Sequence, residues 1–535
     1  MKELDYIVIG SGFGGSVSAM RLSEKGYDVL VVEMGKEYKA KDFPKTNWNL
    51  PKFFWSPRLR WFGFQRLSFF KEVFILSGVG VGGGSLVYAN THMFPPDTFF
   101  SNPSWVKTRD WKKTLTPFYD KAKMMLGTVK NETFDKEDLI LKEIAEEMGR
   151  PESFEGVSVG VYFGDEDRET DPYFNGLGPL RKGCTKCAGC MVGCKDKAKN
   201  SLDYNYLYFA KKFGAKIKAE TKVTKIEYKE DHYLVHTESS TSLFSKKKQV
   251  FRTKNIVFSA GVLGTLDLLL KQKYKYKTLT NLSDRLGENL RTNSESLCGV
   301  TSKDTKLNNG IAISSVFNPD DDTHIEIVKY PNGSGAMKLF STLATKNGSS
   351  LMRPLLWLGN IIYKPHHFIK HYFGRKFAEN SVIFLVMQSL DNSMKMAYKS
   401  FPFSRISIQN KKENRVPSYI DVGQKVMNRY AEKINGMPQN ATTEVLFNMS
   451  STAHILGGVP MGSNANEGVV DESFKVFNYP NMMVLDGSII PGNLGVNPSL
   501  TITAISEYAM SLVPEKKGNT TVSLEEQMRE KRESV

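Results

Sequence analysis

Residues 5–33 read DYIVIGSGFGGSVSAMRLSEKGYDVLVVE, a run that describes one strand–helix–strand unit. The apolar, β-branched stretch 5–9 suits a strand buried on both faces. Gly10, Gly12 and Gly15 follow as G-x-G-x-x-G, and residues 16–25 read as a helix with Ala19, Met20 and Leu22 inward. A second strand, 28–32, ends at Glu33. Gly10 permits a tight turn and Gly12 lets backbone N–H groups approach a pyrophosphate. Gly15 lets helix and strand pack closely, and the helix N-terminus favours the phosphate charge. Glu33 stands where a carboxylate accepts both ribose hydroxyls, which disfavours a 2′-phosphate and hence NADP. NAD and FAD both remain open on this unit alone.

Working outward, residues 77–90 (SGVGVGGGSLVYAN) hold five glycines in seven positions: Gly78, Gly80, Gly82, Gly83 and Gly84. Such backbone can lie flat against a planar ring or a phosphate. The run leads straight into Ser85 and on to Asn90, so a ligand loop is expected rather than a linker.

The whole chain is 535 residues, too long for one core, so two lobes are expected. Hydrophobic residues at 40% and charged residues at 24% suit a globular protein. No apolar run approaches the roughly 18–20 residues needed to cross a bilayer. The first residues carry no export pattern, so the expectation is a cytoplasmic protein. The excess of 72 basic over 57 acidic residues, +15, suits nucleic acid or an anionic membrane. No nucleic-acid motif supports the first, and no nucleic-acid partner is expected.

Four of the five cysteines, Cys184, Cys187, Cys190 and Cys194, are spaced C-x2-C-x2-C-x3-C. That spacing matches a ferredoxin run for an iron–sulfur cluster, although Lys195 replaces the usual proline and no second run exists. Zinc bound by four thiolates and plain thiols are the alternatives.

Further segments carry a resemblance. Residues 220–225 (ETKVTK), 256–264 (IVFSAGVLG), 451–462 (STAHILGGVPMG), 484–488 (VLDGS) and 495–504 (GVNPSLTITA) follow the two glycine loops in order. Together they resemble the glucose–methanol–choline (GMC) family of flavin oxidoreductases, most of all its bacterial cholesterol oxidase branch. The likeness runs from residue 5 to about 510 and is weakest near 230–250.

The resemblance implies FAD. It sets Val223 against the adenine, Ser259, Ala260 and Gly261 over the nucleotide, and Asp486 near the ribityl chain. No histidine lies within 78–90, so FAD is expected to be non-covalent although His92 is near. By the same resemblance His454 and Asn497 are the catalytic pair. Glu326, in THIEIVKYP (323–331), is the carboxylate that moves a proton in double-bond isomerisation, with His324 on the same strand face as its alternative.

The resemblance implies an α/β fold: a discontinuous, Rossmann-type FAD-binding domain (1–300 and 445–514, with a cysteine-rich insert at 181–200) and a substrate domain (301–444) on a mixed or antiparallel sheet. Residues 515–535 form a charged tail, a loose helix or disorder. The implied function is oxidation of a secondary alcohol on a sterol-like or other hydrophobic molecule, hydride passing to flavin N5. Oxygen or another carrier is the electron acceptor, leaving oxidase and dehydrogenase both open. A flavin/iron–sulfur electron-transfer protein and a dehydrogenase of a non-steroid alcohol are the alternatives.

Residues 351–376 (LMRPLLWLGNIIYKPHHFIKHYFGRK) mix apolar and basic groups and hold no acid. Pro354 and Pro365 delimit a helix of about ten residues, too short to span a bilayer. Such a segment suits the membrane interface, with Arg353 and Trp357 at the lipid, or a lid over the cavity. Residues 53–70 have the same character.

Overall fold

The computed structural model of the chain describes residues 2–106, 108–242, 246–400, 405–410 and 415–534. The opening segment folds as strand Glu3–Ile9, helix Phe13–Glu24 and strand Val29–Val32. The two strands pair in parallel, and Ile7, Val8, Val29 and Val31 have no solvent exposure. Burial on both faces is what their unbroken apolar run requires. All twelve residues of the helix are buried, against helices Tyr206–Lys212 and Ser499–Ser511.

The sheet continues with residues far along the chain. Its order is Lys216–Lys218, Val29–Val32, Glu3–Ile9, Lys248–Phe258, His232–Ser239 and Thr221–Lys229, with Met482–Val484 also paired to Lys248–Phe258. Glu3–Ile9, Lys248–Phe258 and Met482–Val484 are parallel, with Ile9 opposite Phe258 and Phe258 opposite Val484. Gly10, Ser259 and Leu485 therefore leave the sheet side by side, at the carboxyl ends where open α/β sheets bind ligands.

A second seven-stranded sheet runs Ser341–Leu343, Met437–Ala441, Ser296–Thr301, Ser381–Gln388, Thr323–Val328, Ile313–Phe317 and Glu155–Gly156. Every pairing in it is antiparallel. Its core includes Ile325, Ile327, Phe384, Val386 and Tyr430. The architecture is the α/β one expected, a discontinuous Rossmann-type lobe beside a lobe on an antiparallel sheet.

A three-stranded sheet connects two loops that matter below. Strand Ser450–Thr452 lies parallel to Val73–Gly78, pairing Ser450 with Val73 and Thr452 with Ile75. The glycine loop after the one and the His454 loop after the other are thus delivered in the same direction.

Three segments depart from the sequence reading. Residues 53–70 are only partly at the surface: residues 57–60 and Phe69 are exposed, but Phe53, Phe54, Trp55 and Phe64 are buried, and Phe53, Phe54 and Phe64 share a core with Leu86 of the glycine loop. The insert is two helices, Met352–Tyr363 and Pro365–Phe373, and Pro354 lies in the first turn of the former, where its missing N–H costs nothing. The tail forms helix Leu524–Glu533, with Leu524 and Met528 buried one turn apart. No helix of the described residues is long and apolar enough to cross a membrane.

Candidate active site

Gly10 leaves its strand at φ 98°, and a Cβ there would lie 2.2 Å from the Ser259 carbonyl oxygen. Only glycine fits. A Cβ on Gly15 would lie 2.2 Å from the Gly10 oxygen. Gly12 is different, since its Cβ would meet nothing within 4 Å, and Gly261 is open in the same way. These two glycines keep clear the space at the N-termini of helices Phe13–Glu24 and Gly261–Leu270, a place where backbone donors are able to meet a phosphate.

Ser11 ties the two glycine loops together. Its hydroxyl donates to Glu33 Oε2 at 2.8 Å and accepts from the Gly82 N–H at 3.1 Å. The backbone N–H groups of Ser11 and Gly35 also donate to Glu33, at 3.1 and 2.8 Å. Burial lifts the Glu33 carboxyl above its ordinary value, and these donors oppose the rise. Thr221 N–H donates to the Glu33 carbonyl at 2.9 Å, which sets buried Val223 beside that strand end. A Cβ on Gly83 would lie 2.6 Å from Gly12 Cα, so the second loop lies on the first. Ser85 donates to the Gly82 carbonyl at 2.7 Å.

Ala260 N–H donates to Thr265 Oγ1 at 3.2 Å, and Thr265 in turn donates to Asp486 Oδ2 at 2.6 Å. Asn90 is buried at φ 70°, and neither its amide oxygen nor its nitrogen meets a partner among the described residues. Glycine-lined space, helix N-termini, a buried carboxylate at the second strand's end and an unpartnered buried amide fit a dinucleotide with a planar ring beyond it.

Beside this cradle the three catalytic candidates come together. Asn497 Nδ2 donates to Glu326 Oε2 at 3.1 Å, and Asn497 Oδ1 is buried without a partner among the described residues. Glu326 has no exposure and His324 Nε2 lies 3.2 Å from its other oxygen, so the two share a strand face as their spacing implied. Pro498 caps helix Ser499–Ser511, holding Asn497 just ahead of it.

His454 has a partner that the sequence reading missed. Glu295, fully buried, places Oε2 at 3.4 Å from His454 Nδ1. It is fixed by donors from Thr452 Oγ1 at 2.5 Å and Ala453 N–H at 3.1 Å. Burial alone would lower the imidazole pKa, but Glu295 and, less strongly, Glu326 outweigh it and raise it above the ordinary 6.5. The backbone bridge between Arg291 and Leu456 lays residues 291–295 along the His454 loop. One signal was present: Thr292, Asn293, Ser294 and Glu295 are four polar residues before an apolar strand, and all four have no exposure. Asn293 also grips the Asn497 loop, accepting from Gly495 N–H at 2.8 Å and donating to the Val496 carbonyl at 2.9 Å.

The cysteine run does not form the ligand set its spacing allowed. All four cysteines line one cavity of about 20 Å³ with Lys199 and Ile311. Yet among the described residues no three His, Cys, Asp or Glu groups are arranged to hold a metal ion. Lys186 and Ala188, on either side of Cys187, are both left-handed, and Cys187 is exposed where Cys190 is buried. Lys199 takes the cavity's hydrogen-bonding capacity elsewhere, donating to the carbonyls of Leu86, Tyr88 and Cys190. The iron–sulfur and zinc readings are thus not supported.

A dinucleotide cradle opening onto an imidazole, two carboxylates and an amide defines a redox enzyme whose cofactor meets a proton-handling group. Two family models described as GMC oxidoreductase match residues 180–293 and 392–506, and one described as NAD(P)-binding Rossmann-like domain matches residues 8–38. A cholesterol oxidase of Acinetobacter baumannii is 44% identical over 96% of this chain and 95% of its own. A cholesterol oxidase of Mycobacterium tuberculosis is 42% identical over 96% and 92%. Among solved structures, pyridoxine 4-oxidase from Mesorbium loti superposes with a TM-score of 0.59 at 13% identity, over 95% of this chain and 99% of its own, a likeness of fold alone.

The chain belongs to the GMC oxidoreductase family, among the relatives of the bacterial cholesterol oxidases. It is an FAD-dependent oxidoreductase acting on CH–OH donors.

Proposed function

We propose that the protein oxidises a secondary alcohol on a sterol-like, hydrophobic molecule to the ketone. The observation that carries this reading is the convergence of His454, Glu295, Asn497 and Glu326 beside the glycine-lined cradle. FAD, held by Gly10, Gly12, Gly15, Glu33, the Gly82–Gly83 loop, Ser85, Asn90, Val223, Ala260, Gly261 and Asp486, supplies the hydride acceptor when bound. His454 takes the hydroxyl proton as the C–H bond gives up its hydride, and Glu295 stabilises the resulting imidazolium. Asn497 points Oδ1 toward the reacting alcohol while Glu326 holds its amide nitrogen. The names of the two full-length relatives support a sterol as the substrate class.

FAD binds without a covalent bond in this reading. Both ring nitrogens of His92 are engaged, Nδ1 with Thr128 Oγ1 at 2.9 Å and Nε2 with Tyr88 Oη at 3.3 Å. Glu326 would move the proton of a double-bond isomerisation, a role suited to a carboxyl without solvent. Molecular oxygen or another carrier takes the electrons onward.

The test is anaerobic mixing of the holoenzyme with sterols, long-chain alcohols and sugars, read by loss of flavin absorbance. Rapid bleaching by a 3-hydroxysterol is expected, and no alcohol-dependent bleaching would sink the reading. Bleaching by long-chain alcohols alone would keep the chemistry and replace the substrate. In Glu326→Gln, oxidation should persist while an unsaturated sterol ketone accumulates unisomerised.

A further inference from the structure

Helices Met352–Tyr363 and Pro365–Phe373 are mounted the wrong way round for a protein meeting only water. Their inward contacts are polar. Arg353 is fully buried and donates to Glu444 Oε1 at 2.5 Å. Trp357 Nε1 donates to Thr342 Oγ1 at 2.7 Å, and Asn360 Nδ2 to the Ala344 carbonyl at 3.0 Å. His371 Nε2 donates to the Ser341 carbonyl at 2.8 Å. The expectation that Arg353 and Trp357 would meet lipid is therefore reversed, since both anchor the insert to strand Ser341–Leu343 and its surroundings.

The outward face is apolar. Leu355 is 64% exposed, Ile362 75%, Tyr363 85%, Ile369 57% and Phe373 76%. A soluble surface rarely holds so many large apolar groups side by side unless it binds something. Exposed Lys364, Lys370, Arg375 and Lys376 border them, and residues 345–376 contain no acid.

We propose that this helix pair docks the enzyme on a bilayer containing anionic phospholipid, the apolar row entering the acyl boundary and the basic border meeting phosphate headgroups. Helices of this length with apolar and cationic groups arranged so lie in the interface plane rather than across it. Charge complementarity selects the occupant. A second copy of the chain, paired face to face, would bring the same lysines together without an acid to meet them. The insert also hangs on the edge strand of the sheet that carries Glu326, and its Arg353 holds Glu444, six residues before the strand leading to His454. Docking stands whether or not the substrate is a sterol.

The experiment is flotation of the FAD-loaded full chain with phosphatidylcholine vesicles and with mixed phosphatidylcholine–phosphatidylglycerol vesicles. Wild type should float with the mixed vesicles, less so in high salt. Partition should fall roughly tenfold or more in Ile362→Ser/Phe373→Ser and in Lys364→Glu/Lys370→Glu. Flavin absorbance and thermal midpoint should match wild type in both, because the exchanged side chains face outward. Failure of wild type to float, or flotation of both variants as wild type, overturns the proposal. So does a dimer in sedimentation velocity that both variants dissolve, which would assign the face to a second copy.

Discussion

Glu295 tunes His454 at the residue scale. The imidazole pKa is raised, so the unprotonated base forms only as pH climbs above the ordinary 6.5. The acid limb of kcat/KM should therefore lie above that value in wild type. Replacing Glu295 with Gln keeps the shape and removes the charge, so that limb should move down in pH while kcat at its plateau falls on the order of 10–100-fold. A merely structural role for Glu295 would lower kcat or stability and leave the limb where it was. The measurement is kcat/KM against pH on both proteins, with an alcohol identified by flavin bleaching. The candidacy of His454 came from STAHILGG, where Gly457 and Gly458 complete the short motif that resembles the family's. Its partner was not legible there, since Glu295 lies 159 positions earlier and reaches it only through the bridge between Arg291 and Leu456.

Elements decide where these residues meet. The parallel pairing of Ser450–Thr452 with Val73–Gly78 sends the His454 loop and the glycine loop the same way, and no local pattern in either segment announces it. The insert's helices show the same limit. Their composition predicted an interfacial or lid role, but only packing against Ser341–Leu343 turned the polar side in. Arg353 is the anchor to test. Glu444, its partner, is raised to about 7 because burial outweighs Arg353. A raised carboxyl pKa means that the folded state holds a proton the unfolded chain releases. Its contribution is thus present below the unfolded value of 4.5 and is lost as pH rises through about 7. Arg353→Leu removes the opposing cation and should cost about 3–5 kcal/mol. The loss should be larger at pH 8 than at pH 6, read by denaturant unfolding at both.

The whole molecule is closed by its two ends. Arg21, on the first helix and buried, pairs with Glu507 at 2.9 Å, Glu24 at 2.9 Å and Glu525 at 2.7 Å. Tyr206 donates to Glu507 at 2.7 Å, so four segments of chain share one network. Burial would raise the Glu525 carboxyl, but Arg21 holds it down to about 2. That depressed value stabilises the docked tail above the unfolded 4.5 and is lost as pH falls toward 2. Acidification across that window should free helix Leu524–Glu533, seen as faster amide exchange there before the core exchanges. Arg21→Met should leave Glu507 and Glu24 buried without their cation, at a cost of about 3–5 kcal/mol in denaturant unfolding. The charge pattern of the tail suggested a loose segment, because its two apolar contacts, Leu524 and Met528, are too few to register as a core stripe.

The sequence by itself determined whatever depends on neighbours within one strand–turn–helix unit. The unit 5–33, the glycine loop at 77–90 and the motifs holding His454 and Asn497 are local, because steric and hydrogen-bonding demands confine glycine and proline to particular places in them. Tertiary structure decided what depends on juxtaposition. It put Glu295 behind His454, seated Ser11 between Glu33 and Gly82, gathered the four cysteines round one small cavity without arranging them to hold a metal, and turned the apolar side of the insert outward. A spacing can say which residues are able to meet. Which of them do so is settled by the pairing of distant strands, and that is a property of the whole chain.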